Sequence, residues 1–230
     1  MMEDDDEKPL SPSYGNITVY KGDLKLLDVP NWINDRIISF YAEYLNNQRT
    51  KDKERESDTN RKVFCVDPSL VFWLLYCSDW KDCKEASKNI TWKESDYILF
   101  PMSDSDSLYS PNTPLTGSHW TLLAFIPSKK HFMEYDSLHK APSKNAKAFA
   151  DKLLTLLDLD SNTCTYSVET VPTQTNNYDC GIYVLQIMEL FVQFSGPPST
   201  SCLYRSLSSN QLLEKRKEIK QLICNTFNLK

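Results

Sequence analysis

The stretch that decides the fold is residues 176–194, NNYDCGIYVLQIMELFVQF. Its first four residues favour a turn, and Cys180-Gly181 then opens a run from Ile182 to Phe194 that is apolar almost all round. A helix with this pattern is buried at the centre of a domain. The positive end of its dipole would stabilise a thiolate at Cys180. The stretch therefore predicts a buried helix with a candidate nucleophile at its N-terminus.

A hairpin earlier in the chain offers the acid–base partners of such a thiol. His119 to Ile126 is a strongly apolar strand, and His131 to Asp136 is a second strand after the turn Pro-Ser-Lys-Lys. If Ile126 pairs with His131, then His119 and Asp136 are diagonal neighbours on one face of the hairpin. A three-residue loop would reverse the parity and place them on opposite faces. In the first register, the carboxylate can orient the imidazole.

The other segments alternate between helical and extended patterns. The sequence predicts helices over Pro30–Leu45, Ser69–Cys77 (after an Asp67-Pro68 cap), the stretch that follows Ser143, and Asn210–Phe227. It predicts strands over Tyr97–Phe100 and Thr163–Val171, and a short strand within Ile17–Leu27. Arg49–Lys62 is a charged, solvated stretch, and Met102–Ser118 is a long loop rich in Ser, Asp and Pro. A loop of that length in a small domain is often functional.

Composition excludes several classes of function. The 230 residues carry a net charge of −5, concentrated in residues 1–8, so a basic nucleic-acid footprint is missing. The five glycines are too far apart for a P-loop or a dinucleotide fingerprint, and no serine elbow of the form G-x-S-x-G occurs. The apolar run that ends at Cys77 is far too short to cross a bilayer. We expect a non-secreted, intracellular protein, cytoplasmic or nuclear, without membrane contact.

The chain has seven cysteines and three histidines that could supply thiol and imidazole chemistry. Since no cysteine pair has C-x-x-C or zinc-finger spacing, we expect reduced thiols. Gln174, six residues before Cys180, could aim an amide N–H at a developing oxyanion. Taken singly, each residue also has an ordinary role: a packed thiol at Cys180, a strand-end His119, a turn-capping Asp136 and a polar loop residue at Gln174. Spacing alone leaves both interpretations open.

Five short motifs carry a resemblance to a known family. They are Trp32-Ile33-Asn34-Asp35, His119-Trp120, Tyr135-Asp136-Ser137, Gln174, and Asn177-Tyr178-Asp179-Cys180-Gly181. In order and spacing they resemble the ubiquitin-like-protein-specific cysteine proteases, the Ulp/sentrin protease family. The resemblance implies an α+β, papain-like fold with a mixed central sheet, and cleavage after the C-terminal Gly-Gly of a ubiquitin-like modifier. That chemistry needs no metal and no cofactor.

The same resemblance assigns roles to individual residues. It makes His119 the base, Asp136 the residue that orients it, Gln174 the oxyanion donor and Cys180 the nucleophile. It places Trp32 and Trp120 as walls of a narrow channel over the Gly-Gly tail, with Asp35 bonded to the tail's backbone, and it lets the Met102–Ser118 loop close on substrate.

Within the family, the chain is most similar to the short deneddylating members. The expected partner is therefore the neddylation modifier with its conjugates, such as cullins. We expect a disordered acidic tail over residues 1–16, one protease domain over 17–230, and a monomer. The alternatives are a SUMO-specific protease, a papain-like acetyltransferase and a catalytically dead modifier-binding module.

Overall fold

A mixed five-stranded sheet forms the centre of the protein, whose computed structural model describes residues 5–51, 61–105, 118–139 and 141–229. The strands are β1 (Val63–Cys65), β2 (Tyr97–Ser103), β3 (Trp120–Ile126), β4 (His131–Tyr135) and β5 (Thr165–Val168), in that spatial order. The two outer pairs are parallel, whereas β2–β3 and β3–β4 are antiparallel. This sheet and the helices around it confirm the predicted α+β class.

Helices cover both faces of the sheet. They are α1 (Asp35–Lys51), α2 (Pro68–Tyr76), α3 (Trp80–Ala86), α4 (Lys144–Leu156), α5 (Cys180–Phe194), α6 (Thr200–Ser206) and α7 (Ser209–Thr226). The side chains of α1, α5 and α7 form one apolar cluster with one face of the sheet, and those of α2 and α4 form a second cluster with the other face. Every residue of β2 and β3 is buried as a result. Helix α5 is buried along most of its length, as its apolar pattern predicts.

Local capping explains where two of the predicted helices begin. The Asp67 carboxylate accepts a hydrogen bond of 2.7 Å from the Ser69 N–H, and Pro68 occupies the first helical position of α2. The Ser143 hydroxyl accepts a bond of 3.2 Å from the Ala146 N–H at the start of α4. Both starts agree with the sequence-based prediction.

The N-terminal region differs from the sequence-based prediction. The short strand predicted within Ile17–Leu27 is wrong, because Ile17 and Tyr20 form only isolated β-bridges and Lys21–Leu27 forms a 3₁₀ helix. The buried Asp23 carboxylate of this helix accepts the Tyr20 N–H at 2.8 Å. The sequence predicts disorder over 1–16, yet within residues 5–16 the Leu10 side chain is buried in the core. The Leu10 N–H also donates to the Val19 carbonyl at 2.7 Å.

The two predicted irregular stretches are described only in part. Helix α1 starts at Asp35, later than the predicted Pro30, and continues to Lys51. Strand β2 extends to Ser103 and takes two residues from the predicted loop. Within the charged stretch Arg49–Lys62 and the loop Met102–Ser118, residues 52–60 and 106–117 lie outside the described residues. Among the described helices, none combines the length and apolarity that a membrane span needs.

Candidate active site

The β3–β4 hairpin places a histidine against an aspartate at one end of the sheet. Ile126 pairs with His131 and Leu122 pairs with Tyr135, which is the register that puts His119 and Asp136 on one face. The His119 Nε2 lies 2.7 Å from the Asp136 Oδ1, and both residues are buried. The predicted contact between the two residues is therefore confirmed.

Asp136 is held by its own turn as well as by His119. Its Oδ1 accepts the backbone N–H of Leu138 at 2.7 Å and that of His139 at 3.0 Å. Its Oδ2 faces the Nδ1 of His139 at 3.2 Å. Burial raises the pKa of this carboxyl, but the hydrogen bonds from His119, His139 and Leu138 outweigh burial and hold the pKa below its usual value. Asp136 is therefore a fixed, ionised acceptor.

The second nitrogen of His119 is left for a partner other than aspartate. Its Nδ1 is buried and has no hydrogen-bond partner among the described residues. Burial lowers the pKa of His119, but the bond to Asp136 and the interaction with the Cys180 sulfur raise the pKa by more than burial lowers it. The resulting pKa is about 9. Because Nε2 faces Asp136, Nδ1 is the nitrogen available to the thiol. The arrangement can hold a thiolate beside an imidazolium.

Cys180 is the first residue of α5, as the sequence predicts, and its side chain is buried. The following residue must be small. A Cβ on Gly181 would lie 2.5 Å from the Ile33 Cγ1 and 3.5 Å from the Trp120 Cδ1. The start of the helix therefore packs directly against the Trp32-Ile33 segment and against Trp120.

Gln174 is fixed by hydrogen bonds at both ends of its side-chain amide. Its Oε1 accepts from the Ser137 hydroxyl at 2.6 Å, and its Nε2 donates to the Asn176 carbonyl at 2.7 Å. Its backbone N–H donates to the Ser137 carbonyl at 2.9 Å. One amide hydrogen is left to donate elsewhere. Ser137 therefore joins the glutamine to the strand end that carries Asp136.

The three predicted substrate-binding residues lie in different environments. Trp32 is 42% exposed, whereas Trp120 and Asp35 are buried. The Asp35 carboxylate accepts the Arg36 N–H at 3.0 Å at the start of α1. Trp32 is thus accessible at the surface, while Trp120 packs beside Gly181 at the start of α5.

Asp104, which the sequence analysis did not single out, fixes the backbone around His119. Its Oδ1 accepts the Ser118 N–H at 2.6 Å and the His119 N–H at 2.9 Å, and its own N–H donates to the His119 carbonyl at 3.1 Å. The Ser118 hydroxyl donates to its Oδ2. The carboxylate joins the end of β2 to the start of β3. Its place directly after an apolar strand was the available signal.

One group of described side chains has the spacing of a metal site. The ligand atoms of His119, Asp136 and His139 lie within 4.8 Å of one another. The same atoms form the two histidine–aspartate hydrogen bonds already described, so these bonds account for the geometry.

The family of the chain follows from its sequence once this geometry is known. The profile of the Ulp1 protease family, C-terminal catalytic domain, matches residues 31–228, a range that contains every site residue described above. The chain belongs to the Ulp1 protease family. It is thus a cysteine peptidase, as the resemblance implies.

Curated relatives within the Ulp1 family cover most of the chain. A probable sentrin-specific protease 8 of Dictyostelium discoideum is 32% identical over 79% of the chain and 74% of its own length. The human sentrin-specific protease 8 is 28% identical over 94% of the chain and 96% of its own length. An Arabidopsis thaliana protein named NEDD8-specific protease 1 is 27% identical, with coverage of 79% and 74%.

Solved Ulp1-family structures share the fold. The C-terminal Ulp1 protease domain in complex with Smt3, the yeast ortholog of SUMO, superposes with a TM-score of 0.65 over 97% of this chain and 89% of that one. Its sequence identity of 22% supports the fold alone. The papain-like α+β architecture expected from the sequence is confirmed by this likeness.

Proposed function

We propose that this Ulp1-family peptidase is a deneddylase, which cleaves after the C-terminal Gly-Gly of NEDD8 in its precursor and in conjugates such as cullins. The observation that carries the chemistry is the His119–Asp136 pair, whose free Nδ1 is the nitrogen available to Cys180. The similarity to proteins named sentrin-specific protease 8 and NEDD8-specific protease 1 supports the choice of modifier.

In the proposed mechanism, the Cys180 thiolate attacks the carbonyl carbon of the terminal glycine. The remaining amide hydrogen of Gln174 and the backbone N–H of Cys180 donate to the oxyanion. The His119 imidazolium gives its Nδ1 proton to the leaving lysine amine, or to the peptide amine of a precursor. Water then hydrolyses the thioester, and His119 accepts a proton from that water. Asp136 keeps the ring oriented throughout.

The modifier tail would approach along the Trp32 side of the cysteine. The contact between Gly181 and Ile33 brings the Trp32-Ile33 segment to the start of α5. In the proposal, Trp32 and Trp120 flank the tail and Asp35 interacts with its backbone. Glycine is required in the tail because a side chain would not pass between two indoles.

The test is a side-by-side reaction of the protein with ubiquitin, SUMO and NEDD8, each carrying a C-terminal electrophile. We expect a covalent adduct with the NEDD8 probe alone, detected by intact mass, and its loss in Cys180→Ala. Gln174→Ala should slow turnover by about 10²- to 10³-fold.

Each other result has a defined meaning. An adduct with SUMO alone would keep the chemistry and overturn the modifier. No adduct with any probe would overturn the protease proposal, in favour of an acetyltransferase or of a binding module. Turnover that survives in Cys180→Ala would overturn the nucleophile.

A further inference from the structure

An arginine of the C-terminal helix is buried beneath the candidate nucleophile. Arg216, on α7, is 1% exposed and is the largest fully buried side chain among the described residues. Its Nε donates to the Asp179 Oδ1 at 2.9 Å, and one terminal nitrogen forms an ion pair with the same oxygen at 2.8 Å. That terminal nitrogen donates its hydrogen bond to the Tyr178 carbonyl at 2.8 Å, and the other donates to the Leu26 carbonyl at 3.1 Å. The guanidinium thus binds the turn that leads directly into Cys180.

The contact with Arg216 also fixes the hydrogen bonding of the Asp179 carboxylate. Asp179 directly precedes α5, but its backbone already has helical angles (φ −95°, ψ −2°) rather than the extended angles with which an N-cap aspartate ordinarily accepts the first backbone N–H groups of a helix. Here the carboxylate caps nothing. Its Oδ1 is bound by Arg216, and its Oδ2 accepts from the Asn176 Nδ2 at 2.7 Å. The negative charge is thus bound away from the helix terminus.

Asn176 extends this contact to the predicted oxyanion donor. Its Oδ1 accepts the backbone N–H groups of Tyr178 and Asp179 at 3.1 and 3.0 Å. Its carbonyl accepts the Gln174 Nε2 at 2.7 Å. Arg216 is therefore connected to the residue before the nucleophile through Asp179 and to the Gln174 amide through Asn176.

Simple attachment of α7 does not account for a buried guanidinium. A buried ion pair is often no more stabilising than apolar residues of the same volume, so its presence calls for another role. The neighbouring Lys215 already joins α7 to α5, through Glu189 at 2.6 Å. That pair lies nine residues along the helix from Cys180.

We propose that Arg216 is a positioning residue, which holds the Asp179 carboxylate off the N-terminus of α5. The backbone N–H groups and the positive helix end then remain available to the thiolate and to the oxyanion. Without the guanidinium, the Asp179 carboxylate would lose its cation and could turn toward the positive end of α5, which would place an uncompensated negative charge beside the Cys180 sulfur. The inference rests on the proposed catalytic roles of Cys180 and Gln174.

The first test measures the cysteine without any modifier. The rate of Cys180 alkylation by iodoacetamide at pH 7, with the site followed by peptide mass mapping, should fall about 10- to 100-fold in Arg216→Met, since a misplaced reactive group can cost that much. Arg216→Lys keeps the positive charge but not the guanidinium geometry that contacts both Asp179 and Tyr178. Its alkylation rate should therefore lie between those of Arg216→Met and the unchanged protein. The kcat for NEDD8 with a fluorogenic C-terminal group should fall in parallel, with KM changed less than threefold.

Two variants separate positioning from stability. Lys215→Met removes the adjacent buried cation of the same helix, and should lower the unfolding temperature while leaving the alkylation rate per folded molecule unchanged. Asp179→Asn in the Arg216→Met background removes the uncompensated negative charge, and should restore much of the alkylation rate although it restores no ion pair.

The outcomes of these measurements separate a positioning role of Arg216 from a purely structural one. An alkylation rate unchanged in Arg216→Met, or equally slowed in Lys215→Met, would overturn the inference. So would a double variant no faster than Arg216→Met. If no modifier is cleaved by the unchanged protein but alkylation still depends on Arg216 as described, the proposed function fails and the positioning role stands.

Discussion

The Nε2 of His119 lies 2.7 Å from the Oδ1 of Asp136, and this bond leaves Nδ1 as the ring nitrogen that can exchange a proton with the thiol. The carboxylate therefore fixes the ring and favours its charged form. The pKa of His119 is consequently about 9, although burial opposes the charge.

This pKa predicts an alkaline limit for activity. The imidazolium that protonates the leaving amine is lost as the pH rises through about 9, so kcat/KM for the fluorogenic NEDD8 substrate should fall in that range. A profile that keeps rising above pH 10 would contradict the prediction. In Cys180→Ala the histidine loses one of the interactions that raise its pKa, so its titration, followed by NMR, should move to lower pH.

The same shift predicts how stability depends on pH. The folded pKa of His119 lies above its unfolded value of 6.5, so the protonated ring stabilises the fold fully below about pH 6.5, and this contribution disappears as the pH rises through about 9. Urea unfolding from pH 6 to pH 10 should show this decline. His119→Gln, which cannot titrate, should show a smaller decline, and an equal slope in both proteins would count against the assignment.

Gly181→Ala should damage both folding and activity. The new Cβ would lie 2.5 Å from the Ile33 Cγ1, so one of the two segments must move. Overpacking of this kind costs about 1–3 kcal/mol of unfolding free energy. Denaturant titration would measure the loss. Ile33→Ala in the same chain removes the clashing atoms and should recover part of that loss, whereas purely additive effects would argue against the contact.

Ser137→Ala tests whether the Gln174 amide must be oriented. The substitution removes the 2.6 Å hydrogen bond to Oε1 and leaves the bond from Nε2 to Asn176 intact. A lost hydrogen bond of this kind is worth about 0.5–1.5 kcal/mol, or roughly 2- to 10-fold in rate. We expect kcat to fall by that factor with little change in KM. Ser137→Thr, which keeps the hydroxyl, is the matched control and should retain most of the rate.

The sequence predicts the parts of the site that depend on local rules. Strand parity and a four-residue turn bring His119 to Asp136, and a turn followed by an apolar run places Cys180 at a helix start. Caps at Asp67 and Ser143 obey equally local chemistry. These features need only neighbours in the chain, which is why pattern analysis found them.

Arg216 shows why the rest escaped prediction. It lies within a run of charged residues that resembles an exposed helix face, and its carboxylate partner is remote in sequence. The helical period held a signal, because Leu212, Arg216, Ile219 and Ile223 share one buried stripe. A charge within an apolar stripe indicates a buried partner, but the sequence does not say which one. Residues 5–16 are similar, since the position of Leu10 in the core depends on distant contacts.

The contacts of Asp104 bear on how this protease can diversify. Its carboxylate and backbone join the two ends of residues 105–118 to each other and to His119. Insertions and deletions between these ends should therefore leave the histidine in place, because the entropy of closing a loop grows only slowly with its length. Lineages could then change the length and the sequence of this segment without having to evolve the catalytic chemistry again.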